Sequence, residues 1–424
     1  MLVPQTNKKG RLNHMKNKTL WKILALVLAV GSCAAFIFGS MNSASAETGT
    51  ELVSSATQKS RTTTTTAGTA LVDPDELFTE RDLAQEPDLS GAATVAVLDG
   101  QNVSITEEGV YVLTGTAENV TVTVDADGAK VQLVLDGLQL TNSDFPCLYV
   151  KSADKVFVTT VADSSLTVTG SFLSDGDTNT DAVIFSKDDL VLNGAATLTI
   201  SSSENGVSSK DDLKVTGGTY VITAASKCLE AKDSVRIAGG SFTLKAGSDG
   251  IHAENDDDDS LGWVYIADGA FTIDAGDDGI HAKAFVRIDG GSFTISAAEG
   301  VEATTVQING GTIAISSWDD GINAARKSTA YAVLVEINGG ELTIAMSAGD
   351  TDGIDSNGSI TVNGGTITIT GNSSFDYDGT ASYNGGTIIV NGQTLSYIPN
   401  QMMGGGMGGQ MGGQMGGMGG RRGR

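Results

Sequence analysis

Apolar and polar residues alternate along this chain in very short segments that return about every 22 residues. One unit holds three such segments, Val286-x-Ile288, Phe293-x-Ile295 and Val301-x-Ala303, separated by Gly-rich or acidic corners. A period of two residues predicts β-strands and not helices. Clear copies of the unit occupy residues 236–254, 265–283, 287–304 and 307–325, with fainter copies on both sides.

This repetition predicts the architecture. Strands of this length cannot stand alone, but each can pair in parallel with its copy one repeat away, so that the inward side chains stack into one apolar core. Three strands per repeat predict an all-β chain folded as a right-handed, three-faced parallel β-helix. A leucine-rich repeat has a similar period but lacks support because the L-x-x-L-x-L frame is absent. A globular β-sandwich is the remaining alternative.

The two ends of the chain differ from this repetitive body, which we place at residues 71–399. Residues 1–46 hold basic residues, an apolar run and the small-residue pattern Ala44-Ser45-Ala46, which together predict a signal peptide and a secreted or cell-surface protein. Cys33 leaves a lipoprotein anchor open. Residues 47–70 predict a Ser/Thr-rich linker, and residues 400–424 predict a disordered tail rich in Met and Gly.

The charge of the chain narrows the choice of partner. There are 51 acidic against 26 basic residues, a net charge of −25. A surface this acidic is unsuited to nucleic acid or anionic membrane, and after signal cleavage no run is long and apolar enough to span a bilayer. We therefore expect the partners to be cations, or anions that cations bridge to the protein. The chain is expected to be a monomer. Cys147 and Cys228 are too few for a disulfide framework and are expected to be buried.

The third corner of each repeat carries an acid followed by glycine. If the repeats stack, these acids form one column, and unit charges about 4.8 Å apart repel by roughly 3 kcal/mol per neighbouring pair at an effective dielectric of 20. The alternative is that each acid only supports its own turn while the glycine takes a positive φ, but a neutral Asn would do the same. The pairs are Asp249-Gly250, Asp278-Gly279, Glu299-Gly300, Asp320-Gly321, Asp352-Gly353 and Asp378-Gly379.

Calcium is the expected neutralising cation, because it accepts six to eight oxygen ligands in flexible geometry. The spacing fits neither an EF-hand loop nor an RTX nonapeptide array, so adjacent coils must share several ions. A zinc site at His252 and His281, which occupy equivalent positions in neighbouring coils, is disfavoured because no Cys lies nearby. The candidate calcium ligands are Asp249, Asp256, Asp257, Asp258, Asp277, Asp278, Glu299, Glu302, Asp319, Asp320, Asp350, Asp352 and Asp355.

Three aromatic residues are candidates for contact with a sugar ring. Trp263 and Trp318 lie close in sequence to acidic corners, and an exposed indole can stack on a pyranose. Tyr331 is the third candidate. Partial burial of each ring is the alternative interpretation.

The body of the chain resembles a known family. The resemblance rests on the acidic run 75–82, on EEGVYVLTGTAENVTVTVDA at 107–126, on VQLVLDGLQLTNSD at 131–144, on DAVIFSKDDLVLNG at 181–194 and on the DGIHA coils. These segments are similar to the calcium-binding β-helical carbohydrate-binding proteins of anaerobic, cellulose-degrading Firmicutes, which are distantly related to family 9 polysaccharide lyases. The resemblance implies a pectate-lyase-like β-helix, several calcium ions and binding of cellulose-like or pectin-like polymers.

Two other functions compete with polysaccharide binding. A calcium-dependent lyase would need a basic residue to remove a proton by β-elimination, and Lys283 is the candidate, although neighbouring acids favour its charged form. A structural surface adhesin would keep the calcium without the sugar. We rank binding first, so that no catalytic residue is expected.

Overall fold

A computed structural model describes residues 71–349 and 351–401. The predicted signal peptide with Cys33, the predicted linker, Asp350 and residues 402–424 of the predicted tail lie outside the described residues. Within the described ranges, no helix has the length and apolar character needed to cross a membrane.

The described chain is a three-faced parallel β-helix built from three sheets of 13, 13 and 12 strands. Sheet 1 contains Ala93–Ala96, Gly109–Thr114, Lys130–Asp136, Lys155–Ala162, Asp189–Gly194, Asp212–Val215, Ser234–Ile237, Trp263–Ile266, Phe285–Ile288, Thr305–Ile308, Leu334–Ile337, Ser359–Val362 and Ala381–Tyr383. Sheet 2 contains Thr116–Glu118, Gln139–Asn142, Ser164–Val168, Thr197–Ser202, Thr219–Ala224, Ser241–Ala246, Ala270–Ala275, Ser292–Ala297, Thr312–Ser317, Glu341–Met346, Thr366–Thr370, Thr387–Val390 and Gln393–Leu395. Sheet 3 contains Val103–Ile105, Val122–Asp125, Leu148–Ser152, Ala182–Ser186, Asn205–Ser209, Leu229–Ala231, Ile251–Ala253, Asp278–Ala282, Glu299–Ala303, Ile322–Ala324, Ile354–Ser356 and Phe375–Tyr377.

Each coil visits the three sheets in turn, as the repeat predicts. Phe285–Ile288 in sheet 1 is followed by Ser292–Ala297 in sheet 2 and Glu299–Ala303 in sheet 3. Strands pair in parallel with the equivalent strands of neighbouring coils, and only the terminal pair of sheet 2 is antiparallel among the described strands. The predicted inward residues are buried, and Phe242, Phe271 and Phe293 stack with ring centroids 4.6 and 4.5 Å apart. The fold prediction is confirmed.

The segment before the β-helix covers part of sheet 1. It contains a 3₁₀ helix at Pro74–Glu76 and a short α-helix at Glu80–Leu83, which begins at a capping box between Thr79 and Asp82. Leu77 and Phe78 pack with Trp263, Tyr265 and Phe285 of sheet 1. Asp82 is fully buried and forms a salt bridge of 3.0 Å with Lys214.

The glycines that follow the corner acids allow adjacent coils to approach closely. A Cβ atom on Gly279 would lie 2.4 Å from Ile295 Cγ2 and 2.6 Å from the carbonyl oxygen of Gly300. This glycine is not among those with positive φ, which lie at other corners of the described coils, such as Gly269 and Gly291. The turn interpretation, in which the Asp-Gly glycine needs a positive φ, is therefore wrong for this corner.

Candidate functional site

The corner acids form a column along the edge at which the strands of sheet 3 begin. Asp278 pairs with Glu299 in register, and the amide of Gly300 donates to the Asp320 carbonyl at 3.0 Å. Asp249 and Asp352 extend the same column on either side through the amides of Gly250 and Gly321. The predicted stacking of these five acids in one column is confirmed.

Asp378 does not belong to this column. The residue in register after Asp352 is Ser373, because the amide of Ile354 bonds to the carbonyl of Ser374. Asp378 lies beyond the strand Phe375–Tyr377, where its amide donates to the Ser356 carbonyl. The last full coil therefore carries Ser-Ser at the corner where the earlier coils carry an acid and glycine, and the prediction for Asp378 is wrong.

A second column runs along the outer face of sheet 3, three residues after the corner acids. Its central members are His252, His281, Glu302, Asn323, Asp355 and Asp376, which are consecutive partners in the strand register. The two columns together form a charged face whose composition changes along the helix. We divide it into a paired segment and an open segment.

The paired segment consists of Asp249, His252, Asp278, His281 and Glu302. The two imidazole rings stack with centroids 4.6 Å apart, and each Nδ1 lies against the acid of its own coil, at 2.8 Å for Asp249 and 2.6 Å for Asp278. His281 also lies 3.0 Å from Glu302. Although burial opposes the charge, the bonds to Asp278 and Glu302 raise the pKa of His281 to about 9. The protein supplies its own cation here.

The open segment consists of Glu299, Asp320, Asn323, Asp355 and Asp376. No salt bridge joins any of these carboxylates to a cationic side chain in the part of the chain that the structure describes, and Asn323 donates to Glu299 at 3.3 Å. One oxygen each of Glu299, Asn323 and Asp376 is buried with no hydrogen-bond partner within the described ranges. Buried oxygens without a protein partner are uncommon in native structures, and an ordered water or a bound cation is the usual partner of such an oxygen.

Three carboxylates of the open segment, those of Glu299, Asp320 and Asp355, have raised pKa values. Burial, followed by repulsion from Glu302 and Asp278, raises the pKa of Glu299 to about 8. Burial and the charges of Asp355 and Asp319 raise the pKa of Asp320 to about 7. Burial and repulsion from Asp376 raise the pKa of Asp355 to about 6. These carboxylates are therefore costly to ionise together unless a cation joins them.

Other candidate ligands lie in different surroundings. Asp277 and Asp319 are exposed next to the corner acids, and Asp352 accepts a hydrogen bond from Ser373. Among the described residues, no hydrogen bond or salt bridge joins the insertion after the strand Ile251–Ala253 to the open segment. Its acids contact lysines, serine and threonine instead: Asp256 with Lys283, Asp257 with Lys232, Asp258 with Ser260, and Asp259 with Lys283 and Thr329.

Lys283 is held as a charged group. Its Nζ donates to the Asn255 carbonyl at 2.7 Å and lies 3.4 Å from both Asp256 and Asp259. Although burial opposes the charge, these two carboxylates raise the pKa of Lys283. A lysine must lose its proton to act as a general base, so this geometry does not favour Lys283 in that role.

The three aromatic candidates differ in exposure. Trp263 is only 7% exposed, and its ring is covered by Phe285 at 5.2 Å and by the guanidinium of Arg236 at 4.8 Å. The expectation that Trp263 offers a ring face to sugar is therefore corrected, because the preceding segment and sheet 1 enclose it. Tyr331 packs edge-on against Phe285. Trp318 is 48% exposed and directly precedes Asp319 and Asp320.

Two charged groups were not anticipated from the sequence. Glu230, the partner of His252 in register, lies in a cleft of about 310 Å³ with Lys210, Lys227 and Lys232. Despite burial, Lys210 and Lys227 lower the pKa of Glu230 to about 2. The second group is Asp189, Asp211 and Asp212, which lie where two neighbouring strands of sheet 1 begin. One carboxylate oxygen from each residue lies within 4.8 Å of the other two. Alignment of equivalent residues in neighbouring repeats would have predicted both groups from the sequence.

Comparison with known proteins gives three matches. The family model described as "Carbohydrate-binding domain-containing protein" matches residues 99–351 and 300–397. A protein of the same description from Acetivibrio thermocellus is 33% identical over 130 residues, which are 29% of this chain and 46% of that protein, so the chain spans about half the length of this curated relative. A solved structure described as a polysaccharide lyase-like protein from C. thermocellum, a gadolinium derivative, is 22% identical with a TM-score of 0.34, covering 71% of this chain and 95% of that chain. Since the family model matches more than half of the sequence, the chain belongs to the carbohydrate-binding domain family.

Proposed function

We propose that this chain is an extracellular protein that binds carboxylate-bearing polysaccharide through Ca²⁺ held by the open segment. Family membership supports a carbohydrate partner. The finer assignment rests on one observation, the three buried oxygens of Glu299, Asn323 and Asp376 that have no partner among the described residues. They lie on a face where Glu299, Asp320 and Asp355 have raised pKa values and form no salt bridge with a cationic side chain among the described residues.

The residues of the open segment fit calcium. They offer carboxylate and amide oxygens only, which are the ligands of a hard divalent cation, and neighbouring coils present them side by side. The bound ion would supply positive charge and spare coordination positions for a uronate carboxylate. The paired segment is less suitable, because His281 lies against Asp278 and Glu302, and Lys327 forms a salt bridge of 2.8 Å with Glu302.

Different residues of the chain would bind the cation and contact the sugar. Glu299, Asp320 and Asp355 would hold the cation, and the glycines of the corner keep the coils close enough for ligands from neighbouring coils to share it. Trp318, exposed beside Asp319, is placed to cover a sugar ring next to the carboxylate that the ion binds. Protein and polymer are both anionic, so binding depends on calcium to remove the repulsion between them.

The experiment is co-sedimentation of the purified chain with polygalacturonate, in calcium or in excess chelator. We expect calcium-dependent sedimentation of the parent chain and no rise in the ultraviolet absorbance of unsaturated uronate. Asp320→Asn/Asp355→Asn should lose sedimentation, whereas Asp127→Asn/Asp136→Asn, which removes the same charge at two exposed sites, should keep it. Equal sedimentation of both double variants, or sedimentation in chelator, contradicts the proposal.

A further inference from the structure

Residues 71–85, which we call the strap, lie across several coils of sheet 1. At one end the guanidinium of Arg81 lies 4.5 Å from the ring centroid of Phe157, and at the other the carbonyl of Val72 accepts a hydrogen bond of 2.9 Å from Arg287. The strands of Phe157 and Arg287 are the first and last of six consecutive strands in sheet 1. In a solenoid each repeat contacts only its neighbours, so the strap joins coils that otherwise have no direct contact.

The polar part of the strap is held by a buried charge. Asp82 is fully buried, and its carboxylate lies 3.0 Å from Lys214 Nζ and 3.5 Å from Lys155 Nζ. These two lysines belong to different strands of sheet 1, with the strand Asp189–Gly194 between them. Removing one partner of a buried ion pair is strongly destabilising, so Asp82 ties three coils together.

The apolar part of the strap packs on the last two of the six strands. Leu77 and Phe78 belong to one cluster with Trp263, Tyr265 and Phe285, and Leu77 is only 7% exposed. The rings of Phe78 and Tyr265 have centroids 6.4 Å apart. These contacts remove apolar surface from water at two neighbouring coils and so stabilise both of them together.

The strap ends where the open segment begins. The last strand that it contacts, Phe285–Ile288, directly follows the sheet 3 strand of His281, whereas the next strand of sheet 1, Thr305–Ile308, follows the sheet 3 strand of Glu299. Among the described residues, no hydrogen bond or salt bridge joins the strap to a residue after Arg287. The coils whose sheet 1 strands run from Lys155–Ala162 to Phe285–Ile288 are therefore the strapped coils, and those from Thr305–Ile308 onward are the trailing coils.

The trailing coils also carry the acids that are costly to ionise. Glu299, Asp320 and Asp355 have raised pKa values because they are half-buried near other carboxylates. Without a cation, this cost lowers the stability of the coils that hold them. Regions of one fold with different numbers of stabilising contacts open locally at different free energies. The strapped and trailing coils differ in this way on both counts.

We propose that the strap locks the six strapped coils into one cooperative unit, and that the trailing coils open separately from it when no cation is bound. The strapped coils then form a permanent scaffold. If the open segment binds calcium, loading with the ion orders the trailing coils on that scaffold. Only this last consequence rests on the proposed function, because the division into two units is a property of the chain in chelator.

The test is hydrogen–deuterium exchange of the full chain in chelator, followed by mass spectrometry of its peptides. In the parent chain we expect backbone amides of the strands within 305–390 to exchange at least about tenfold faster than those within 155–288. Leu77→Ala/Phe78→Ala should raise exchange within 155–288 by at least about tenfold and leave 305–390 unchanged. Leu83→Ala/Leu89→Ala, which truncates two leucines that are 47% and 51% exposed, should match the parent.

A second variant keeps the test decisive if the double alanine variant does not fold. Asp82→Asn leaves Lys214 buried without its carboxylate and should raise exchange in the same range, 155–288, with circular dichroism like that of the parent. The proposal is overturned if the two ranges exchange equally in the parent, or if loss of strap contacts raises exchange equally along both. Failure of calcium to slow exchange within 305–390 would count against the proposed function and leave the strapped unit intact.

Discussion

The paired and open segments are two stretches of the same charged face. In the paired segment cationic side chains form salt bridges with the carboxylates, and in the open segment, as far as the structure describes the chain, they do not. Both have an acid followed by glycine at the corner, except in the coil of Asp376, which has Ser373 and Ser374 there, and both share the same strand register. They differ three residues later, where the paired segment has His252 and His281 and the open segment has Asn323, Asp355 and Asp376. The fold fixes where the acids lie, and we propose that this outward residue decides whether a coil has a cationic side chain of its own or binds a cation from solution.

The largest expected effect comes from removing the internal cation. His281→Gln leaves the buried Asp278 without its cationic partner, while Glu302 keeps its salt bridge of 2.8 Å with Lys327, and breaking a buried ion pair costs about 3 kcal/mol. We expect a large fall in the free energy of unfolding measured in chelator. If the comparison holds, calcium restores part of the loss, because the variant converts a paired coil into an open one. Lys245→Gln, which removes an exposed pairing on sheet 2, should change stability little.

A smaller effect of opposite sign is expected in the open segment. Asp320→Asn/Asp355→Asn removes repulsion between half-buried carboxylates and should stabilise the chain in chelator by on the order of 1 to 3 kcal/mol. We expect calcium to raise the melting temperature of the parent chain, and the same variant should lose that rise. Destabilisation in chelator would mean that these acids support the fold without any cation.

The raised pKa values in the open segment predict how the stability of the chain depends on pH. Glu299, Asp320 and Asp355 have folded pKa values of about 8, 7 and 6, above their ordinary values of 4.5, 3.8 and 3.8. Their protonation therefore stabilises the folded chain at low pH, and this contribution is lost as pH rises from about 4 to 8. In chelator the melting temperature should fall across this window. Calcium should flatten the fall, and a flat profile without calcium would contradict the assignment.

The smallest expected effect follows from moving a histidine into the open segment. Asn323→His places an imidazole in register between Glu302 and Asp355, next to Glu299. The new side chain should weaken calcium binding by several-fold and raise stability modestly in chelator, most clearly below pH 7, where a histidine is charged. Asn323→Gln is the matched control and should retain calcium binding. Identical affinities in the two variants would show that the outward residue does not set the cation requirement.

Much of this arrangement was predictable because repetition converts sequence spacing into spatial register. The β-helix, the inward residues of each strand and the column from Asp249 to Asp352 all follow from aligning the repeats. Asp378 was misplaced because the last full coil puts Ser373 at its corner and the Asp-Gly pair at the next one. Alignment by the Asp-Gly pair alone could not detect that shift.

Contacts between distant segments were beyond the periodic pattern. Trp263 is enclosed because Leu77 and Phe78 fold back on sheet 1, and no feature of the repeat sequence predicts that packing. The acids of the insertion pair with Lys232 and Lys283 for the same reason, since the path of an irregular loop is not set by strand register. The protonated role of His281 depends on two carboxylates from different coils.

The most direct test of the central claim is anomalous scattering from a calcium-soaked crystal of the purified chain. We predict an ion coordinated by oxygens of the open segment, among them those of Glu299, Asn323 or Asp376, which have no hydrogen-bond partner among the described residues. The ordered His252 and His281 stack should remain free of metal. Ions found only at Asp189, Asp211 and Asp212, or at the histidines, would contradict the account.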